Sequence, residues 1–159
     1  MRHSLAELEG LITAKREQFT RDELGQSYGH YDMTLSPFSY PALVPEGGPV
    51  VGEEAAYVIF QRLSLGVEVV VADLEHHGTC TRHTKQLWTK VQRRIHDLLV
   101  KLYTRLVASG VEATNTLLTR EVIPASLTCV TNPVGQDMRD FVILRHVFQV
   151  AAFYSQNLS

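Results

Sequence analysis

The segment VEVVVADLEHHGTCTRHTKQLWTKVQRRIHDLLVKLYTRL, residues 67–106, decides the predicted fold of this chain. It begins with an apolar run, Val67 to Ala72, whose β-branched residues are typical of a buried strand. A polar turn follows, and beyond it apolar residues recur every three or four positions, as in a helix. The sequence therefore predicts a strand packed under a helix, and with it an α+β fold.

The helix of this unit is predicted from about residue 84 to 108. Its apolar positions are Leu87, Trp88, Val91, Ile95, Leu98, Leu99, Leu102, Tyr103 and Leu106. A stripe this broad is typical of a helix that lies across a sheet. Gly110 stands where a C-terminal cap belongs, and we expect Trp88 to anchor the packing.

Further strands are predicted on both sides, in a mixed or antiparallel β-sheet. Ala55 to Asp73 concentrates β-forming residues, as two strands or one bent strand, with Ser64-Leu65-Gly66 as the turn or bulge. Leu117 to Ile123 and Phe141 to Tyr154 are two more predicted strands. Because both faces of the last one are apolar, we expect the helix to cover one face and a neighbouring subunit the other.

A shorter helix is predicted at the N-terminus, from Ser4 to Phe19, where Ser4 and Glu7 have the spacing of a capping box. Residues 25–52 are a connection rich in Pro and Gly, in which 40–44 can join a sheet edge. Residues 125–140 are predicted to form a second long loop. All of this fits a single domain, 1–159.

Composition narrows the classes of protein to be considered. The chain has 159 residues, of which 45% are hydrophobic and 20% charged, and a net charge of −2. These are globular values, so a membrane protein is not expected, and the net charge supplies no general case for nucleic-acid binding. The early acidic residues argue against a signal peptide. We expect both cysteines, Cys80 and Cys129, to be reduced.

The turn before the main helix is the one candidate metal site. His76, His77, Cys80 and His83 fall within eight residues, and imidazole and thiolate are zinc ligands. Their spacing matches no known motif, and no downstream Cys or His pair completes the set. A polar turn is therefore the favoured interpretation, and a metal-binding enzyme or sensor is the alternative.

Catalytic groups are otherwise not indicated. No Gly-x-Ser-x-Gly elbow and no phosphate-binding glycine loop occur in the sequence. The carboxylate pairs Glu53-Glu54, Asp73 with Glu75, and Asp137 with Asp140 are expected to be solvating groups. The chain is therefore predicted not to be an enzyme and to need no cofactor.

The outer face of the main helix is basic. It carries Lys85, Lys90, Arg93, Arg94, Lys101 and Arg105. Such a face is either simply solvated or makes an electrostatic contact with an acidic partner or with nearby DNA. It has no interleaved aromatic residues, so a surface that reads bases is not expected.

In the order of its predicted elements, the chain resembles the tail-terminator or tail-completion proteins of long-tailed bacteriophages. The resemblance covers most of the chain and depends on the helix Ser4 to Phe19, the segment Ser36 to Val44, the Val67 to Ala72 strand entering the 84–108 helix, and the strand Phe141 to Tyr154. These are features of order and pattern rather than an invariant motif. The Pro/Gly-rich segment before residue 55 and the connection from Pro124 to Phe141 depart from the family.

This resemblance implies a structural virion protein, made in the host cytoplasm and located in the tail or neck. It implies a homo-oligomeric ring, commonly a hexamer, that caps the tail tube protein and joins it to the head-tail connector or neck protein. The basic helix face would then lie either near passing DNA or on the outside. The family supplies no catalytic residues to transfer. A cellular α+β adaptor is a third alternative.

Overall fold

The computed structural model describes residues 1–35, 38–77, 82–111 and 123–158, with the side chains of His77, Arg82 and His83 excepted. These residues form six helices: α1 (Arg2–Leu24), α2 (Tyr28–Thr34), α3 (Glu53–His77), α4 (Arg82–Ala108), α5 (Ala125–Thr128) and α6 (Pro133–Asn157). The described ranges contain no strand, so the predicted α+β fold with a mixed or antiparallel sheet is wrong. Residues 117–122 of the strand predicted from Leu117 to Ile123 lie outside the described ranges.

Helix α1 confirms the predicted N-terminal helix but not its capping box. The helix begins at Arg2, and Met1, its N-cap residue, makes no side-chain capping bond. Ser4 is instead buried and accepts a hydrogen bond from Lys101 Nζ of α4. The apolar side chains Leu5, Leu8, Ile12 and Phe19 face the core. The helix ends at Gly25, whose φ of 74° is left-handed.

Helix α3 replaces the strands predicted between Ala55 and Asp73. Its buried apolar positions are Ala56, Ile59, Phe60, Leu63, Val67, Val69 and Val70. Most of these recur at helical spacing, and burial along that stripe outweighs the modest β preference of the valines. Gly66 is neither turn nor bulge: a Cβ there would lie 2.9 Å from Leu43 Cδ1, so the glycine leaves room for that buried leucine.

Helix α4 confirms the predicted 84–108 helix and its cap. Trp88 is fully buried and meets the Phe19 ring edge-on at 6.2 Å between ring centroids. Beyond the helix, the Gly110 N–H donates to Val107 O and the Val111 N–H to Leu106 O. This pair of bonds satisfies the last carbonyls of the helix, as in a Schellman motif.

Helix α6 replaces the strand predicted from Phe141 to Tyr154, and its first turns replace part of the loop predicted at 125–140. The Asn132 side chain caps it by accepting from Gly135 N at 2.6 Å, and Pro133 occupies its first turn. Every residue from Arg139 to Val147 is buried. Apolar residues on all sides fit a central helix as well as a buried strand, and periodicity alone does not distinguish them.

The four long helices form a bundle in which α1 and α3 each pack between α4 and α6. Neighbours are antiparallel. Glu7 and Phe19 of α1 meet Arg94 and Trp88 of α4, and Glu9 of α1 meets Ser155 of α6. By the same kind of pairing α3 runs antiparallel to α4 and to α6. The order is therefore up-up-down-down, which requires long connections after the first and third long helices.

The first long connection, 25–52, covers the outside of α6 and α3. It contains α2, and the predicted extended segment at 40–44 is instead a turn, in which Leu43 N and Val44 N donate to Tyr40 O. Arg145 of α6 holds this connection by donating to the carbonyls of Leu35, at 2.8 Å, and Phe38. The proline-rich connection therefore packs over helices with a turn at 40–44, and its described residues do not form the edge of a sheet.

Among the described residues, the segment Glu53–His76 of α3 alone has the length and hydropathy needed to cross a bilayer. In its most apolar window 44% of the residues are buried in the bundle. A core helix of a soluble protein has the same composition. The expectation that this is not a membrane protein thus stays a prediction.

Candidate functional site

The His/Cys turn is only partly described. His76 is exposed, and its Nδ1 lies 2.7 Å from the Ala72 carbonyl oxygen. Cys80 and the side chains of His77 and His83 lie outside the described residues. Within the described part of the chain, no group of three or more His, Cys, Asp or Glu side chains is placed to hold a metal ion. Metal binding by this turn therefore stays an untested alternative.

The six basic residues of α4 fall into two groups, three that bond to neighbouring helices and three without such a bond in the described part of the chain. Arg94 lies 3.1 Å from Glu7 of α1, and Arg105 lies 2.5 Å from Glu53 of α3. Lys101 donates to Ser4 of α1. Three of the six predicted contact residues thus tie α4 to its neighbours rather than to an outside partner.

The other three basic residues, Lys85, Lys90 and Arg93, are exposed. Lys90 and Arg93 line an open cavity of about 530 Å³ between α1 and α4, together with Glu7, Leu11, Arg94 and Asp97. Two carboxylates and three cations line this cavity. The surface is therefore of mixed charge and differs from the uniform basic stripe that the sequence predicts.

Exposed apolar residues concentrate at one end of the bundle. Nine large hydrophobic residues are exposed in the described ranges, and six of them lie just before α3, along the C-terminal third of α4 or just after it: Val50, Val51, Val100, Tyr103, Val107 and Val111. The start of α3 and the end of α4 meet at the ion pair of Glu53 and Arg105. The segments that carry these residues therefore meet at one end of the bundle.

A groove of about 400 Å³ between α3 and α4 continues this surface. It is lined by Tyr57, Gln61, Ser64, Leu65, His96, Leu99, Val100 and Tyr103. The rings of Tyr57 and Tyr103 lie 6.2 Å apart between centroids, one from each helix. We call the groove residues together with Val50, Val51 and Val107 the α3–α4 patch. No Asp, Glu, Lys or Arg belongs to it.

The sequence contains a signal for this patch, although the basic face obscures it. His96, Val100, Tyr103 and Val107 recur at intervals of four, three and four residues, which is the spacing by which one helix packs against another. The buried stripe of α4 lies on a different side of the helix. Two apolar seams on one helix indicate that the second seam faces something other than its own bundle core.

A buried charge cluster lies towards the opposite end of the bundle. Arg139, 1% exposed, donates to Asp73 of α3 at 2.6 Å, to the neighbouring Asp140 at 2.7 and 2.8 Å, and to the carbonyl of Leu127 at 3.2 Å. Burial raises the pKa of Asp140 to about 7, against the opposing effect of Arg139. The cluster links α3, α5 and α6, so Asp73 and Asp140 are structural partners and not the solvating groups predicted.

His146 is a second buried ionisable group, on the next turns of α6. Neither ring nitrogen has a hydrogen-bond partner in the described part of the structure. Burial, with a contribution from Arg145, lowers the pKa of His146 to about 4. The imidazole is therefore neutral at ordinary pH and acts as a packing group.

Up-up-down-down helical bundles serve many unrelated functions, so the topology does not indicate what this chain does. The local chemistry is more informative, because it contrasts the buried Arg139 cluster with the exposed α3–α4 patch, whose residues are uncharged. Comparisons of the chain with protein-family models, with curated proteins and with solved structures gave no match.

Proposed function

We propose that this chain is a non-catalytic assembly protein that associates with a second copy of itself through the α3–α4 patch. The observation that carries this proposal is the concentration at one end of the bundle of six of the nine large hydrophobic residues that are exposed in the described part of the chain. Exposed apolar residues that occur singly need no explanation, whereas a contiguous group marks an interaction surface.

The shape of the patch favours a helix as the contacting element. Val100, Tyr103 and Val107 project from α4 beside a groove, so the surface offers both protruding side chains and a recess. This is the arrangement by which side chains of one helix fill gaps on another. Helix α4 itself presents such a row of side chains, and it can supply the partner element in a second copy.

The charges around the patch favour a second copy of the chain. A two-fold contact places the same surface against itself, so a patch with charges of one sign would repel its mate. Lys101 and Arg105 lie on the same stretch of α4 but are engaged with Ser4 and Glu53. The patch residues themselves are uncharged, and the Glu53–Arg105 ion pair beside them carries both signs of charge, so pairing with a copy does not place charges of one sign together.

A ring that caps a phage tail tube stays a more specific prediction, taken from the resemblance. The strands on which that resemblance depended, at 67–72 and 141–154, are helical, so the helical bundle adds no support for it. A closed ring also needs two different surfaces on each copy, whereas a two-fold contact closes as a dimer. The two assemblies therefore differ in mass.

The mass in solution tests the proposal. Sedimentation equilibrium should give twice the 17.9 kDa of the chain. Val100→Glu should weaken the association by about 100-fold, because an unpaired carboxylate would be buried in an apolar contact. The matched control is Val134→Glu, since Val134 is similarly exposed but lies at the start of α6, outside the patch.

Three results would overturn self-association through this patch. The first is a monomer for the folded wild-type chain at about 100 μM, a concentration well above the dissociation constant of a stable dimer. The second is a dimer that Val100→Glu leaves intact. The third is a larger ring. Sedimentation with phosphatidylcholine vesicles, lost in Val100→Glu, would identify a lipid bilayer as the occupant instead. That result would agree with the apolar character of α3.

A further inference from the structure

The segment 48–52, which contributes two valines to the α3–α4 patch, is bounded by glycine. Val50 and Val51 are 68% and 60% exposed. Gly48 and Gly52 flank them, with φ values of 84° and 137°, in the region that favours glycine. Glycine lets the backbone adopt many conformations, so this short stretch has little intrinsic preference for the one it adopts. The position of the two valines therefore depends on what holds the segment from outside.

Tyr154 of α6 holds the segment at Val50. Its hydroxyl donates to the carbonyl of Val50 at 2.8 Å. Its ring is fully buried and lies 6.0 Å from the ring of Phe60 in α3, between centroids. Burial raises the pKa of Tyr154 to about 12, so the hydroxyl keeps its proton at ordinary pH. A ring packed in the core thus fixes the backbone that carries the exposed valines.

The end of the segment is joined to both helices of the patch. The carbonyl of Gly52 accepts from Ala56 N at 2.9 Å, in the first turn of α3. The next residue, Glu53, forms the ion pair with Arg105 of α4. The segment is therefore attached to α6 at Val50 and to α3 and α4 at its end, and these attachments set where the valines lie beside the groove.

We propose that Tyr154 is a positioning residue for self-association: its hydrogen bond to Val50 holds Val50 and Val51 in the arrangement that the second copy contacts. This inference depends on the self-association proposed above. The buried hydroxyl acts only through the backbone of Val50. A contact loses less conformational entropy on association when its residues are already ordered, so the bond strengthens the contact without being part of it.

The size of the effect follows from the fraction of chains in which the segment is correctly placed. Without the hydroxyl, segment 48–52 should spend part of its time in arrangements that do not fit the second copy. Affinity falls in proportion to the competent fraction. A two-fold contact uses the segment of both copies, so a competent fraction of about one third in each lowers the association constant about tenfold.

Sedimentation equilibrium of the full chain tests the inference. Tyr154→Phe keeps the ring and removes the hydroxyl, so it should weaken association about tenfold with unchanged helix content by circular dichroism. Tyr31→Phe is the matched control, because the Tyr31 hydroxyl donates to the carbonyl of Leu24 at 2.6 Å, at the end of α1 away from the patch. This variant loses a bond of the same kind and should associate like the wild-type chain.

A double variant, Val50→Ser with Val51→Ser, tests whether the segment belongs to the contact. Both side chains are exposed, so the change leaves the core intact. It should weaken association by about tenfold or more, because less apolar area is buried between the copies. Adding Tyr154→Phe to this background should have no further effect on association, since the position of the segment then no longer matters.

Equal association of Tyr154→Phe and the wild-type chain would overturn the inference and leave self-association standing. So would equal weakening by Tyr154→Phe and Tyr31→Phe, or a further tenfold loss from Tyr154→Phe in the serine background. Unchanged association of the serine variant would overturn the inference even if Tyr154→Phe did not fold. A folded wild-type monomer would instead overturn the proposed function itself, and the Tyr154 inference with it.

Discussion

At the scale of single residues, two helical glycines distinguish helix propensity from packing. Gly10 in α1 has no atom within 4 Å of an added Cβ, whereas at Gly66 in α3 the added Cβ meets Leu43 at 2.9 and 3.3 Å. Gly10→Ala should therefore stabilise the protein by about 1 kcal/mol. Gly66→Ala should destabilise it by about 1 kcal/mol, because the overlap with a fully buried leucine exceeds the propensity gain.

Urea denaturation of both variants measures this difference. The Leu43→Ala background is the control, since removing that side chain should turn Gly66→Ala into a stabilising change. Equal stabilisation by Gly10→Ala and Gly66→Ala in the wild-type background would show that Leu43 can move aside, and would remove the packing reason for glycine at this position.

Two buried ionisable residues in α6 act in opposite directions on stability. His146 has a pKa of about 4 in the folded chain and 6.5 ordinarily, so between these values the unfolded chain binds the extra proton and stability falls as the pH falls. Asp140 has a pKa of about 7 when folded and 3.8 ordinarily, so the folded chain holds the extra proton and stability falls as the pH rises. The wild-type chain should therefore change little between these limits.

Substituting each residue should reveal the slope of the other. His146→Leu should leave a protein that loses on the order of 2 kcal/mol as the pH rises from about 4 to 7. Asp140→Asn should leave one that loses a similar amount as the pH falls from about 6.5 to 4. Urea unfolding at several pH values measures both. Identical slopes in the two variants would contradict this assignment of the two groups.

At the scale of helices, α3, α5 and α6 are joined by the Arg139 cluster. Arg139→Met should cost about 3 to 5 kcal/mol, because it leaves Asp73 and Asp140 without the cation that compensates their burial. Arg94→Met is the matched control, since Arg94 is 44% exposed in its pair with Glu7 and should cost no more than about 1 kcal/mol. Thermal or urea unfolding of the two variants compares them.

A small loss on Arg139→Met would indicate that Asp140 is already protonated when its partner is removed, which its raised pKa permits. Adding Asp73→Asn to Arg139→Met then tests the remaining carboxylate. If the double variant is no more stable than the single one, the cluster is not held together by charge compensation.

At this scale the main error was to predict strands where the chain forms helices. The predicted strands at 67–72 and 141–154 are parts of α3 and α6, whereas the helices at 4–19 and 84–108 were predicted correctly. The correctly predicted helices have one polar face, which shows the helical period. The other two are apolar over much of their circumference, so their local sequence resembles that of a buried strand, and only their neighbours in the bundle select the helix.

At the scale of the whole molecule, the up-up-down-down order makes the two long connections part of the structure. The 25–52 connection covers α6 through Leu43 and through the bonds of Arg145 to Leu35 and Phe38. The same arrangement leaves the groove between α3 and α4, and the adjoining face of α4, without a covering element in the described part of the chain. The α3–α4 patch is therefore a product of topology, and self-association through it is a prediction that belongs to this scale.

The sequence by itself determined the amphipathic helices, the Gly110 cap, the burial of Trp88 and the turn-rich character of residues 25–52, because each depends on neighbours a few residues apart. Only the tertiary structure decided that α3 and α6 are helices, that Arg94, Lys101 and Arg105 tie α4 to its neighbours, and that Asp73 and Asp140 surround Arg139. These outcomes depend on contacts between residues far apart in the sequence, up to 146 positions for Glu9 and Ser155. The α3–α4 patch depends on sequence and tertiary structure together. Its residue spacing can be recognised in the sequence of α4, but its exposure depends on the bundle, because the other helices pack on other faces of α3 and α4.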